Sequence, residues 1–282
     1  MAQDSKIEWT HHTFNPWWGC RKVSPACLHC YAETWARRLG LELWGKESSR
    51  RFFQDNYWNQ PLKWNRDAER AGTRRRVFCA SMADVFEGRS ELSPWRARLW
   101  PLIEATPWLD WLLLTKRIHN VARMVPWGTA WPENVWLGTT AENQRWADRR
   151  IPILLDLPAR VRFVSAEPLL GPISLEKWMP RRKSSRNAPR LHWLIAGGES
   201  GHGARPTHPE WIRVLRDQCQ SSGIAFHFKQ WGHWSPTVPD GITTKHQLIV
   251  RDSESGTDLL YGLGKNVAGR MLDGRTWDQF PA

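Results

Sequence analysis

No window of the sequence approaches ~18 uninterrupted apolar residues, so a membrane-spanning helix is excluded. The opening MAQDSKIEWT has no apolar segment of the kind a secretory signal needs. Motifs of hydrolytic and nucleotide chemistry are missing too: there is no GxSxG, no HExxH and no Walker A loop. No strand–GxGxxG–helix opening appears, which argues against a doubly wound dinucleotide fold. Histidines 202, 208, 227 and 233 are scattered without ligand spacing and read as surface or core. Cysteine is scarce, five residues in 282. An odd number with three clustered does not make a disulfide framework. It favours a reducing, cytoplasmic setting and a metal-type role for the cluster.

What is present is basic and rich in tryptophan. Lys and Arg number 40 against 28 Asp and Glu, a formal charge of +12, which favours anionic partners, nucleic acid first among them. At 41% hydrophobic and 24% charged residues the composition is that of an ordinary globular protein. Its length suits one large domain or two small ones. Most of the 21 tryptophans are expected in the core, with a few left for base stacking.

One unit recurs along the chain: a short apolar, β-prone run that ends in polar residues, then a helical or loop segment. The runs are RVFCAS (76–81), WLDWLLLTKR (108–117), NVWLGTTAEN (134–143), RVRFVSAEPLLG (160–171), LHWLIAGGESG (191–201) and IAFHFKQWG (224–232). Amphipathic stretches lie between, such as 93–106 and 208–223; the second places Trp211, Val214, Leu215 and Cys219 at helical spacing, with Gly223 as its stop. Such alternation predicts βαβ units and a parallel sheet, a complete or partial (β/α) barrel. A possible further strand precedes the cysteines. The barrel domain is expected over 1–234, and 235–282 reads as a C-terminal extension packed on it. The basic stretch 179–190 is either a solvated loop or a phosphate-contacting arm.

Cys20, Cys27 and Cys30 are separated by six and then two residues. A structural zinc site needs four ligands, and His29, His11 or His12 would supply the fourth. A 4Fe–4S cluster held by three cysteines instead leaves one iron open. That position suits the amino and carboxylate end of S-adenosylmethionine, whose reductive cleavage releases a 5′-deoxyadenosyl radical.

CLHC (27–30) resembles the second half of the radical-SAM cluster signature, with His29 in the aromatic slot. The first spacing departs from it, six residues where the usual pattern has three. Over most of the chain, IEWT (7–10), FNPWWGC (14–20), SPACLHCYAE (24–33), SAEPLLGP (165–172), GGESG with ARP (197–201 and 204–206), FKQWG (228–232) and AGRMLDGRTWDQFP (268–281) resemble the phage-associated three-Cys-motif family. The resemblance implies a radical-SAM-type barrel, a 4Fe–4S cluster, an electron donor, a three-Cys-motif partner protein and a host-cell cytoplasmic location. It names no substrate. Radical-SAM proteins also commonly carry a Gly-Gly-Glu element that binds the methionine amino group; there it follows an early strand, whereas GGES follows a late one.

Polar residues gather at the carboxyl end of the runs, the edge that carries chemistry in parallel α/β folds. Gly197 and Gly198 would allow close backbone approach to a ligand, with Glu199 bonding a hydroxyl or amine; the alternative is a tight turn. Glu167 and Ser165 would bind ribose hydroxyls, or Glu167 would make a structural salt bridge. Lys229 needs a partner or an anion in a barrel mouth. Asn15, Ser81, Asp84, Lys116, Arg117, Thr139, Glu142 and Gln230 are candidates by position. Cys79 reads as core or as a hydrogen donor to a product radical, and Cys219 as structural. The catalytic candidates are Lys229, Cys79 and Asp84.

Two functions follow. One is a radical-SAM-like enzyme with its cluster on Cys20, Cys27 and Cys30, acting on a nucleic-acid base or nucleotide, which would have to leave a duplex stack to reach the site. The other is a non-enzymatic, zinc-stapled nucleic-acid-binding protein.

Overall fold

A computed structural model describes residues 3–179 and 190–281. The basic stretch 179–190 falls, apart from its two end residues, outside the described residues. Seven parallel strands run in chain order: β1 (His12–Thr13), β2 (Arg75–Cys79), β3 (Leu109–Thr115), β4 (Val135–Thr140), β5 (Val161–Ala166), β6 (Trp193–Gly197) and β7 (Ala225–Gln230). Each apolar run of the sequence supplies one strand, and β1 is the extra one ahead of the cysteines. Order and direction are those of the partial form of a (β/α) barrel. The strands are apolar along their length because parallel strands are covered on both faces: in β3 six of the seven residues of LDWLLLT are buried.

The helices are α1 (Tyr31–Arg38), α2 (Asp55–Trp58), α3 (Gln60–Arg70), α4 (Ser93–Glu104), α5 (Val121–Met124), α6 (Gln144–Asp156), α7 (Pro209–Ser222) and α8 (Lys265–Ala268). Local chemistry sets their ends. At α7, the His208 side chain accepts the Glu210 amide hydrogen and Pro209 opens the helix. Gly223 closes it in the left-handed region at φ 68°, its N–H donating to the Cys219 carbonyl.

Two compact units divide the chain, Met1–Thr139 with Ile153–Arg162, and Thr140–Pro152 with Phe163–Ala282. In the first unit β1, β2, β3 and β4 pair in succession. Trp17, Trp64, Trp111 and Phe14 are fully buried there, and Phe14 packs edge-on to Trp58 and Trp111. Truncating a ring such as Trp111 would cost about 3–5 kcal/mol.

In the second unit β5, β6 and β7 pair in the same sense. A three-stranded antiparallel sheet of β8 (Trp234–Ser235), β10 (Gly256–Gly262) and β9 (Gln247–Asp252) follows. The chain then returns to β7: Phe228 donates its N–H to Trp277 O, and Gln279 donates to Phe226 O. No described helix is long and apolar enough to cross a membrane.

Candidate functional site

In the first unit the cysteine segment leaves the carboxyl end of β1 under close backbone constraint. Gly19 N–H donates to Met82 O, and Gly45 N–H donates to Cys20 O. Gly19 has φ +112°, and a Cβ there would lie 2.6 Å from Leu43 O, so only glycine fits. The 43–50 stretch is pinned by Arg50, which donates to the carbonyls of Leu43, Gly45, Ser48 and Ser49 and pairs with Glu87 at 2.7 Å, both side chains being buried.

All three clustered cysteines are free and partly buried. Cys30 caps α1. Burial raises its thiol, and the adjacent Cys27 adds to the rise; the Glu33 and Ala32 amides and the charge of Lys116 oppose it. Cys20 is pushed up to about 12 by burial against the pull of Arg117, whose Nη1 stands 3.6 Å from its Sγ. Arg117 also donates to Arg21 O at 2.6 Å.

Arg117 is held in turn by Asp84. That carboxylate accepts from Arg117 Nη1 (2.8 Å), Thr115 Oγ1 (2.7 Å) and the Phe86 and Lys116 amides (3.0 and 3.1 Å). Burial alone would raise its pKa; Arg117 and these hydrogen bonds outweigh burial and hold it below the ordinary value. Asp84 is therefore an ionised anchor for the arginine beside Cys20. Asn15 and Ser81 bond each other at 3.1 Å, and Asn15 Oδ1 accepts from the Met82 amide. Thr139 donates its hydroxyl hydrogen to Thr115 O, and Cys79 is fully buried in β2.

Among the described residues no group of three or more His, Cys, Asp or Glu is gathered closely enough to hold a metal ion. The structure brings Cys27 beside Cys30, and Cys20 beside Arg117. In kind the donor set fits a soft metal: three thiols, with a helix N-terminus and cations able to balance sulfur charge. Two of the three imidazoles of the zinc alternative, His11 and His12, fit less well. His11 Nδ1 accepts the Arg76 amide hydrogen at 2.9 Å, and burial with the charges of Arg76 and Arg75 lowers it to about 4. His12 lies in β1 and stacks on Trp64 at 4.5 Å. Both line a cleft of about 200 Å³ with Asp4, Asp67 and Arg75, and so serve the start of β1, away from its cysteine end.

The second unit carries a separate set. Glu167 accepts from Lys229 Nζ at 2.8 and 3.0 Å and from Gln230 Nε2 at 3.3 Å, so the partner of Lys229 is a carboxylate of its own unit. Glu199 is bound by Arg205 through the backbone N–H and two guanidinium nitrogens at 2.6–2.8 Å. Glu142, fully buried, pairs with Arg150 at 3.0 Å. Ser165 is buried in β5. A Cβ on Gly198 would lie 1.9 Å from Trp231 O, and one on Gly232 2.1 Å from Glu199 O. Main-chain packing between the ends of β6 and β7 thus accounts for glycine at 198. Gly197 is looser, with Glu167 carbons at 3.4 Å.

Sequence reasoning had no signal for Arg50, Glu87 or Arg150, because a buried arginine reads like any surface arginine until its partner is placed; Arg205 was legible only as part of the ARP block (204–206). Arg117 was legible only as a strand-end cation.

The family model described as "Protein of unknown function (DUF5131)" matches residues 4–281, and the chain belongs to that family. A search of curated proteins finds no match. Among solved structures, a cysteine-to-serine variant of spore photoproduct lyase is 15% identical, covering 93% of this chain and 71% of that one with a TM-score of 0.48. A double variant of the same lyase with bound AdoMet and dinucleoside spore photoproduct is 13% identical over 89% and 68%, with a TM-score of 0.44. The lyase complexed with dinucleoside spore photoproduct is 14% identical over 87% and 66%, with a TM-score of 0.43.

Proposed function

We propose that this member of the DUF5131 family holds a 4Fe–4S cluster on Cys20, Cys27 and Cys30, takes S-adenosylmethionine at the iron without a protein ligand, and acts on a nucleic-acid base or nucleotide. With both groups bound, one-electron reduction of the sulfonium supplies a 5′-deoxyadenosyl radical able to take a hydrogen atom from a substrate. The observation that carries the reading is the setting of the three free thiols. Arg117 stands against Cys20, while the α1 amides and Lys116 face Cys30. Those charges favour sulfur in its ligating, deprotonated form, which burial otherwise opposes.

Gathering the three sulfurs is coupled to binding, since for such loops metal affinity is expressed as local folding. Asp84 keeps Arg117 in place and takes no proton itself. In the second unit, Glu167 and Ser165 are proposed to bind ribose hydroxyls, and Lys229 to orient Glu167. Gly197, where a Cβ would meet Gln230 O and Glu167 carbons at 3.4 Å, is proposed to bring its backbone against a ligand. Glu199 and Glu142 act through Arg205 and Arg150, as positioning groups. The formal charge of +12 supports an anionic substrate, and the resemblance to the three-Cys-motif family supports a partner protein and an electron donor.

Protein purified without oxygen is expected to be brown, with broad absorbance near ~400 nm and about four irons per chain. Cys27→Ala should lose the iron and keep its far-UV circular dichroism. A colourless protein with one zinc, whose N-terminal segment unfolds in Cys27→Ala, would reject the cluster.

A further inference from the structure

The chain has 21 tryptophans and three tyrosines, and nearly all are at least partly covered. Among the described residues the exposed aromatic side chains are Tyr31, at 54%, and Trp35, at 51%. They are four residues apart on α1, whose buried face is Ala32, Glu33 and Ala36. At 1.5 Å per residue the two rings lie about 6 Å apart along the helix, on one face. Arg38 follows three residues after Trp35 on that face. Leu28 and Leu39, both exposed, extend the stripe in either direction.

The stripe is bordered by positive charge. Lys22 Nζ lies 2.8 Å from Glu33 and donates to Leu28 O at 3.1 Å. Arg37 pairs with the same carboxylate at 2.7 Å and stays 67% exposed. Glu33 thus engages Lys22 and Arg37 on the opposite side of α1 from the rings, and Arg38 is the cation that shares the rings' face.

We propose that this face of α1 docks single-stranded nucleic acid, with unpaired bases stacked on Tyr31 and Trp35 and a phosphate met by Arg38, the +12 charge of the chain drawing the strand in. Flat exposed rings beside cations are what a single strand engages, because every base offers a π-face and every linkage a charge. A duplex hides its base faces and has no use for the rings. A purely apolar partner would leave Arg38 unmatched. The strand's role as substrate rests on the function proposed above; its binding rests on α1 alone.

The test is fluorescence anisotropy of a fluorescein-labelled oligothymidylate with the full chain, with iron measured on the same samples. Trp35→Ala, an exposed position, should weaken binding about tenfold, and Trp35→Phe should retain most of it. A strand with abasic sites should bind the parent chain as weakly as the intact strand binds Trp35→Ala. Arg38→Gln should lower the slope of log K against log salt by about 0.7. Binding by Trp35→Ala within twofold of the parent, or abasic binding equal to that of the intact strand, would overturn the proposal. If those losses vanish and an acidic protein competes for the stripe instead, the surface is a protein interface. An iron-replete parent chain that does not bind the strand sinks this surface only. Strand binding that depends on Trp35 in a chain without iron sinks the cluster only.

Discussion

Replacing Asp84 with alanine strips four hydrogen bonds, one of them the ion pair with Arg117, from a site whose side chains are 8% (Asp84) and 5% (Arg117) exposed. The guanidinium then stays buried with no carboxylate, a loss of about 3–5 kcal/mol. With a urea slope of about 3 kcal/mol per molar, the unfolding midpoint should fall by roughly 1–1.7 M. Adding Arg117→Met removes the stranded charge, so the double variant should recover part of the loss, with a coupling of about 1–3 kcal/mol. The acid limb gives a second readout. Because the folded pKa of Asp84 is depressed, its contribution is complete above the ordinary carboxylate pKa and disappears as pH falls through the lower folded value. Asp84→Ala should therefore flatten stability against pH below about pH 4. Alkylation of Cys20 should slow in Arg117→Met, which removes the cation that favours its thiolate. A midpoint shift under about 0.3 M, or strictly additive single variants, would refute the reasoning.

Gly198→Ala should destabilise the second unit by about 3 kcal/mol or prevent soluble folding, because the new methyl meets the Trp231 carbonyl at 1.9 Å. Gly197→Ala, with its nearest atoms at 3.4 Å, should cost about 1 kcal/mol or less by thermal melting. His227 is wholly buried and lowered to about 4, by burial first, with Asp278 opposing and Arg270 assisting. Its unfolded form takes up a proton near pH 6.5 and its folded form does not, so stability should decline by about 3 kcal/mol from pH 6.5 to 4. His227→Phe should reduce the slope in urea melts run across the same range, leaving the part that His11 contributes.

The strands were readable because burial on both faces writes itself as unbroken apolar runs: each of the six runs became a strand. The α7 boundaries were readable from Pro209 and Gly223, whose backbone preferences act locally. The pairing of charges was not. Glu167 with Lys229, Glu199 with Arg205, Glu142 with Arg150 and Asp84 with Arg117 join residues that a one-dimensional pattern leaves as a row of strand-end polar groups. Gly198 shows the same limit: a glycine by itself does not say whether a ligand or a carbonyl occupies the space beside it.

By itself, the sequence determined the parallel α/β rhythm, the excess of positive charge and the three-thiol donor set, because periodicity, composition and spacing are properties of the chain alone. The tertiary structure decided which carboxylates are already neutralised, which imidazoles are engaged at the start of β1, and which two aromatic rings out of so many face water. Those are matters of distance and burial between residues far apart in sequence, and only folding sets them.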